Sequence, residues 1–396
     1  MELKGEINRE IEKIKDELIE LSKKIHENPE LAFNEYRAVE NITNLLDKHG
    51  FKIEKGIAGL ETAFRAEYRC QGNGPTIAFL AEYDALPEIG HGCGHNLIAT
   101  MSAGASIALS KIADNIDGKI VVLGTPAEEG GGGKVIMIKE GVFDNIDYAL
   151  MIHPSTRNLI CRGGLATRGM VVEYFGKSAH SASPEDGINA VQAVIQTFNG
   201  IDSLRATLPL KSNINGIITN GGKATNIIPD YASCKFSIRA DTVKDLKVVV
   251  DCIERVVESV EKLTGTKAKI KKSLIYTERY PNRTIAEKFK ENIAQFNEVM
   301  EYPEPNMKYG SSDIGNVSLV VPAIHAYLKI AEPGTVSHSI DFAKASITDR
   351  AHEQMLKGAK ALAMTGFDIF SDDELRSNIY KEFEENVPTY NESDLE

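Results

Sequence analysis

Thr76-Ile77-Ala78-Phe79-Leu80-Ala81-Glu82-Tyr83-Asp84 is an apolar run that ends abruptly in two acids. A strand with one face in water alternates apolar and polar residues, whereas a run without alternation belongs to a strand buried on both faces. The same kind of run recurs at 119–124 and 148–153, separated by stretches of helical period at 97–112 and 134–140. Buried strands alternating with helices predict an α/β domain: a mostly parallel sheet with helices on both faces. Ligands bind such sheets beyond the carboxyl ends of the strands. Glu82 with Asp84, Glu128 with Glu129, and His153 each follow or close one of the three runs, so three strand ends deliver polar groups to one rim.

Upstream, Ile7, Ile11, Ile14, Leu18 and Leu21 recur at steps of four and three, which predicts one apolar stripe on a helix. Pro29 ends that pattern, and a second helix is expected over 35–50, with Gly50 as its stop. Downstream of Arg168 the order becomes strand (170–175), helix (188–204), strand (214–219), strand (231–239), helix (243–263), strand (268–276). This β-α-β-β-α-β order is that of a ferredoxin-like α+β unit. It predicts a lid domain over 168–276 inserted into a first domain made of 1–167 and 277–396. A helix at 284–299, apolar runs at 317–321 and 323–330, and a last helix at 342–364 resume the first domain. The acidic tail from Ser371 shows little apolar period and is expected to be partly mobile.

A chain of 396 residues exceeds what one hydrophobic core usually supports, which agrees with two domains. Forty-five Lys and Arg against 57 Asp and Glu give a net charge of −12, which argues against nucleic acid or an anionic membrane as partner. Five scattered cysteines, Cys70, Cys93, Cys161, Cys234 and Cys252, suit a reducing compartment without structural disulfides. The charged N-terminal segment is unlike a signal peptide and no run approaches a membrane span, so a cytoplasmic protein is expected.

The stretch His91-Gly92-Cys93-Gly94-His95-Asn96 looks like half of a metal site. Cys93 and His95 stand two apart among glycines, so both side chains can converge on one ion in a tight turn. Asn96 is placed to cap the helix that follows. Glu128 and Glu129 leave a strand as neighbours and therefore point different ways, which lets one bind a metal while the other faces a water as general base. Gly130-Gly131-Gly132-Gly133-Lys134 invites a phosphate-loop reading, but Glu128 replaces the first glycine of that motif and Val135 the Ser or Thr, so nucleotide binding is rejected. His153 ends an apolar run and His338 lies in a turn. With Cys93, His95 and Glu129 they make an N, O and S donor set large enough for two divalent ions.

Seven motifs occur in order: Glu82-x-Asp84-Ala85-Leu86-Pro87, His91-x-Cys93-Gly94-His95, Pro126-Ala127-Glu128-Glu129-Gly130, His153-Pro154, Gly176-x-x-Ala179-His180, Asn226-x-x-Pro229 and Thr335-x-x-His338-Ser339. The set resembles the metallopeptidase family of aminoacylases, carboxypeptidase G and dinuclear aminopeptidases. Its Cys-Gly-His variant is similar to the branch with p-aminobenzoyl-glutamate hydrolase and indole-acetyl-amino-acid hydrolases. The resemblance implies Cys93, His95, Glu129, His153 and His338 as metal ligands, Glu128 as general base and Asp84 as a residue orienting a ligand. Glu82 stands where many relatives carry a ligand histidine, and no ligand role is transferred to it. The resemblance further implies that His180 stabilises the oxyanion in a partner subunit's active site and that Asn226 and Arg239 bind substrate. The implied cofactors are two divalent ions, zinc or manganese before cobalt or nickel. The implied reaction is hydrolysis of the amide of an N-acyl amino acid or dipeptide by a metal-bound hydroxide, in a homodimer joined through the lid. A cysteine hydrolase built on Cys93 fails, because His95 is too close in sequence to serve as its base. A non-catalytic metal- or substrate-binding protein on the same fold is the other reading, and Glu128 speaks against it, since storage needs no base.

Overall fold

The computed structural model describes residues 2–305 and 307–395, which form two compact units: the chain up to Gly163 with Arg279–Thr389, and Gly164–Glu278 with the residues from Tyr390. The first unit starts with α1 (Glu2–Lys13), α2 (Lys15–Glu27) and α3 (Tyr36–Lys48), then β1 (Lys52–Lys55), β2 (Phe64–Arg69) and β3 (Gln71–Ala81). It continues through α4 (His95–Ser110), β4 (Asp117–Gly124), α5 (Gly133–Lys139) and β5 (Tyr148–Ser155). The second unit holds β6 (Ala166–Phe175), β7 (Ala179–His180), α6 (Ala190–Leu204), β8 (Asn213–Asn220), β9 (Ile227–Ile228), β10 (Tyr231–Ala240), α7 (Val243–Thr264) and β11 (Lys267–Lys272). The return segment adds α8 (Arg283–Ala294), α9 (Ile314–Val320), β12 (Ala323–Lys329), α10 (Ile340–Ala345), α11 (Asp349–Ser371) and α12 (Asp373–Asn386) to the first unit.

The sheet of the first unit runs β1-β2-β4-β3-β5-β12. The last four strands are parallel, and β1 and β2 form an antiparallel edge. The apolar run in β3 has a direct cause: Ile77, Phe79 and Ala81 enter the core beneath α1, α2, α4 and α11, while Ala78 and Leu80 enter a second core on the opposite face. Every residue of α4 is buried, because α1, α2 and α11 pack outside it. The expected N-terminal stripe is in the core, carried by two helices that meet at Ile14.

The second unit is a four-stranded antiparallel sheet in the order β11-β6-β10-β8, with α6 and α7 closing its core. Numbered within this sheet alone, that order is 4-1-3-2, the ferredoxin-like arrangement. The short ribbon β7–β9 is an addition that the sequence pattern does not announce.

Three local expectations are corrected. The run at 317–321 falls mostly in α9, whereas the one at 323–330 forms β12, because a five-residue apolar stretch has no period of its own to choose by. Two helices, α10 and α11, replace the single one expected over 342–364, with Thr348 accepting the Ala351 N–H to start the second. The acidic tail is not loose up to residue 386: α12 is capped by Asp372 and buries Leu375 and Ile379 four residues apart, a stripe too narrow to show in a polar segment.

Candidate metal centre

Between β3 and α4 the chain makes a tight turn. Gly94 takes φ +79°, and a Cβ there would stand 2.6 Å from Pro154 Cγ, so the close approach of this turn to the end of β5 requires glycine. The approach brings Cys93 Sγ to 3.3 Å from His153 Nε2. Asn96 is not the cap. Gly94 occupies that position, and the Asn96 amide donates inward to Ser22 Oγ at 2.9 Å and the Ser346 carbonyl at 3.1 Å, because α4 is buried from its first turn.

Asp84 ties two parts of the centre together. Its Oδ1 lies 2.9 Å from His95 Nδ1, and its Oδ2 accepts the Glu129 N–H at 2.9 Å. His153 Nδ1 likewise meets the Pro154 carbonyl at 2.6 Å. Each imidazole is thus held at Nδ1 and turns Nε2 inward, the orientation metal-ligating histidines usually need. His338, at φ +60°, has its N–H on the Gly92 carbonyl at 3.0 Å and its Nε2 3.5 Å from Glu129 Oε1.

The donor atoms of Cys93, His95 and His153 all lie within 4.8 Å of one another, as do those of Cys93, Glu129 and His338, and those of His95, Glu128 and Glu129. Buried His95 Nε2 and Glu129 Oε1 have no hydrogen-bond partner. Such orphaned polar atoms are costly, and a shared cation satisfies them. Two overlapping donor triads with Cys93 in common fit divalent ions in chemistry and spacing.

A fourth acidic grouping, Glu82, Glu128 and Asp313, already has a cation. Lys134 is fully buried, with Nζ 2.6 Å from Glu82 and 2.7 Å from Asp313, and its N–H donates to Asp313 Oδ2 at 3.0 Å. Burial opposes its charge, yet the Asp313 and Glu82 carboxylates hold its pKa above the ordinary lysine value. The lysine after the glycines is therefore a counter-ion inside the protein. Burial, then Glu82 and Glu129, push the Glu128 carboxyl well above the usual carboxylate range. A divalent ion beside it would act in the opposite sense and favour the carboxylate form a base needs. The backbone before Glu128 is strained, with Ala127 at φ +59°. Glu35 holds it: one carboxylate oxygen accepts the Ala127 N–H at 2.9 Å and the other the Thr62 hydroxyl at 2.7 Å.

The roles of Glu35, Lys134, Asp313 and His325, which packs beside His153 with ring centroids 5.3 Å apart, escaped sequence reasoning. Their partners lie far away along the chain. Only Lys134 and His325 carried a local signal, a polar residue against an apolar run. His180 and Asn226 are neighbours in the β7–β9 region of the second unit, where the Ser181 N–H donates to the Asn226 carbonyl at 3.0 Å. Arg239 lies on β10, in the other sheet of that unit.

Residues 166–264 match the family model for the M20 peptidase dimerisation domain. The Xaa-Arg dipeptidase of Mus musculus is 36% identical over 397 residues, covering 96% of this chain and 92% of its own. The chain belongs to the M20 peptidase family. One of the p-aminobenzoyl-glutamate hydrolase subunits of Escherichia coli is another relative, 27% identical over 97% of this chain and 95% of its own. A solved Bacillus subtilis protein, described as a dinuclear metal-binding peptidase of the M20 family, superimposes with a TM-score of 0.63 at 18% identity, covering 89% of this chain and 99% of its own. That likeness shows the shared M20 fold. The protein is an M20 hydrolase with a peptidase dimerisation domain. Among the described residues, no helix is long and apolar enough to cross a membrane.

Proposed function

We propose that this M20 hydrolase cuts the amide bond of a dipeptide or N-acyl amino acid using two divalent ions held by Cys93, His95, Glu129, His153 and His338. The observation that carries the reading is the convergence of these donors around Glu128 and Glu129. Bound ions would polarise the scissile carbonyl and acidify a water. Glu128 then takes the proton of that water and returns it to the leaving amine nitrogen. Asp84 keeps the His95 ring and the Glu129 backbone in register throughout. A thiolate donor leans toward zinc, while imidazole and carboxylate also suit manganese, cobalt or nickel. The test is a hydrolysis screen of dipeptides and N-acyl amino acids with each of these four metals. No turnover in any combination overturns the reading.

The same reading makes the protein a homodimer that completes its sites in trans. Edge strand β8 exposes Ile217 and Ile218, and pairing two such edges across a two-fold axis would cover them. His180 Nδ1 accepts the Ala182 N–H at 3.1 Å, so its proton sits on Nε2, free to donate to a developing oxyanion. Asn226 and Arg239 are assigned to the substrate's amide or carboxylate. Mixing His180→Ala subunits with Glu128→Gln subunits will restore one of the two sites in each mixed dimer. If subunit exchange is verified by mass and no activity returns, His180 does not act in trans.

A further inference from the structure

We propose that Arg162 and Arg279, gathered around Tyr327 beside His153, form an anion subsite that receives a carboxylate of the substrate. The inference rests on the amide-hydrolase reading above and adds a specificity element on the catalytic unit itself.

Arg279 is only 8% exposed and donates one N–H to the Tyr327 hydroxyl at 2.8 Å, while its Nε is buried without a partner. Arg162 lies over the Tyr327 ring with its guanidinium carbon 4.5 Å from the centroid, and its Nε too is buried without a partner. Among the described residues neither arginine forms an ion pair with a carboxylate. The adjacent His325 contributes a third orphaned buried atom, Nε2. This cluster touches the metal centre, since the His153 ring lies 5.3 Å from that of His325 and 5.4 Å from that of Tyr327.

Guanidinium groups stay charged in proteins, and arginines are almost never buried without a counter-charge. Two of them around one ring also repel each other. Lys134, on the other hand, has two carboxylates of its own. The arginine pair thus lacks what the lysine has, and an incoming carboxylate would supply it.

The pair is also held in place. Leu159 and Tyr327 exchange backbone hydrogen bonds of 2.9 and 2.8 Å, and Asn158 Oδ1 accepts the Lys329 N–H at 2.7 Å, which stitches the loop carrying Arg162 to β12. Next to Arg279, the Tyr280 N–H donates to Ser318 Oγ at 3.0 Å. Planar forks fixed in this way suit a carboxylate, which can take two parallel hydrogen bonds from each. The subsite therefore selects peptides and N-acyl amino acids that carry a free carboxylate close to the scissile amide, and disfavours their neutral C-terminal amides.

The test is calorimetric titration of N-acetyl alanine, arginine, glutamate and phenylalanine, each as free acid and as C-terminal amide. The proteins are metal-replete wild type, Arg279→Gln, Arg162→Gln and Arg239→Gln. Wild type will favour at least one acid over its amide by roughly tenfold or more, the size expected of charge-assisted hydrogen bonds. Arg279→Gln and Arg162→Gln will lose most of that preference while amide binding stays unchanged. Arg162 is the less buried of the two, so its variant serves if Arg279→Gln does not fold. Equal binding of acids and amides to wild type overturns the subsite, as does a preference lost only in Arg239→Gln. Hydrolysis of the same compounds is scored separately. Turnover without the arginine-dependent preference removes the subsite alone, and the preference without turnover of any substrate removes the hydrolase reading alone.

Discussion

Exhaustive chelation will abolish turnover, and adding back a divalent ion will restore it. Without a divalent ion, Glu128 has Glu82 and Glu129 as like charges beside it, and His95 Nε2 and Glu129 Oε1 are left without partners. Nothing then lowers the pKa of a water or draws electrons from the carbonyl, and each contributes several orders of magnitude in metallohydrolases. Chelation will also lower the melting temperature, because an ion that binds only the folded chain stabilises it by about 4 kcal/mol when present at a thousand times its Kd. Cys93 belongs to two of the donor triads, so Cys93→Ala will lose at least one ion by metal analysis. Full activity in protein shown to be metal-free would overturn the scheme.

Glu128→Gln will retain nearly full metal content and lose activity by at least roughly a hundredfold, the scale of general acid-base assistance. The amide keeps the size and hydrogen bonding of the acid but cannot accept a proton. The neighbouring proposed ligand will behave differently: Glu129→Gln removes a charged donor close to both His95 and His338, so metal will be lost along with rate. Metal content and rate measured on one sample separate the two cases. If Glu129→Gln dies with its metals bound while Glu128→Gln stays active, the two roles are reversed.

The parallel sheet could be read in the sequence because β3 and β4 each feed two cores with alternate residues, which leaves no polar positions to obscure the run. The antiparallel edge could not: β1 is Lys52–Lys55, four residues with three charges, and only pairing with β2 makes it a strand. The candidate metal ligands could be picked out in part for a local reason. Cys93 and His95 share one turn, Glu128 and Glu129 are adjacent, and each group sits at the end of a recognisable run.

The sequence by itself determined the α/β class, the inserted β-α-β-β-α-β unit and the clustering of candidate metal donors at strand ends, since these follow from periodicity and from chemistry carried within a few residues. Tertiary structure alone decided how the charges are balanced. Lys134 meets Asp313 across 179 residues, Asp84 reaches forward to the Glu129 backbone, Glu35 holds the turn at Ala127, and Arg162 joins Arg279 over Tyr327. A buried charge is tolerated or left wanting according to what the fold packs against it, and that neighbour is fixed by three-dimensional contact, which spacing along the chain does not encode.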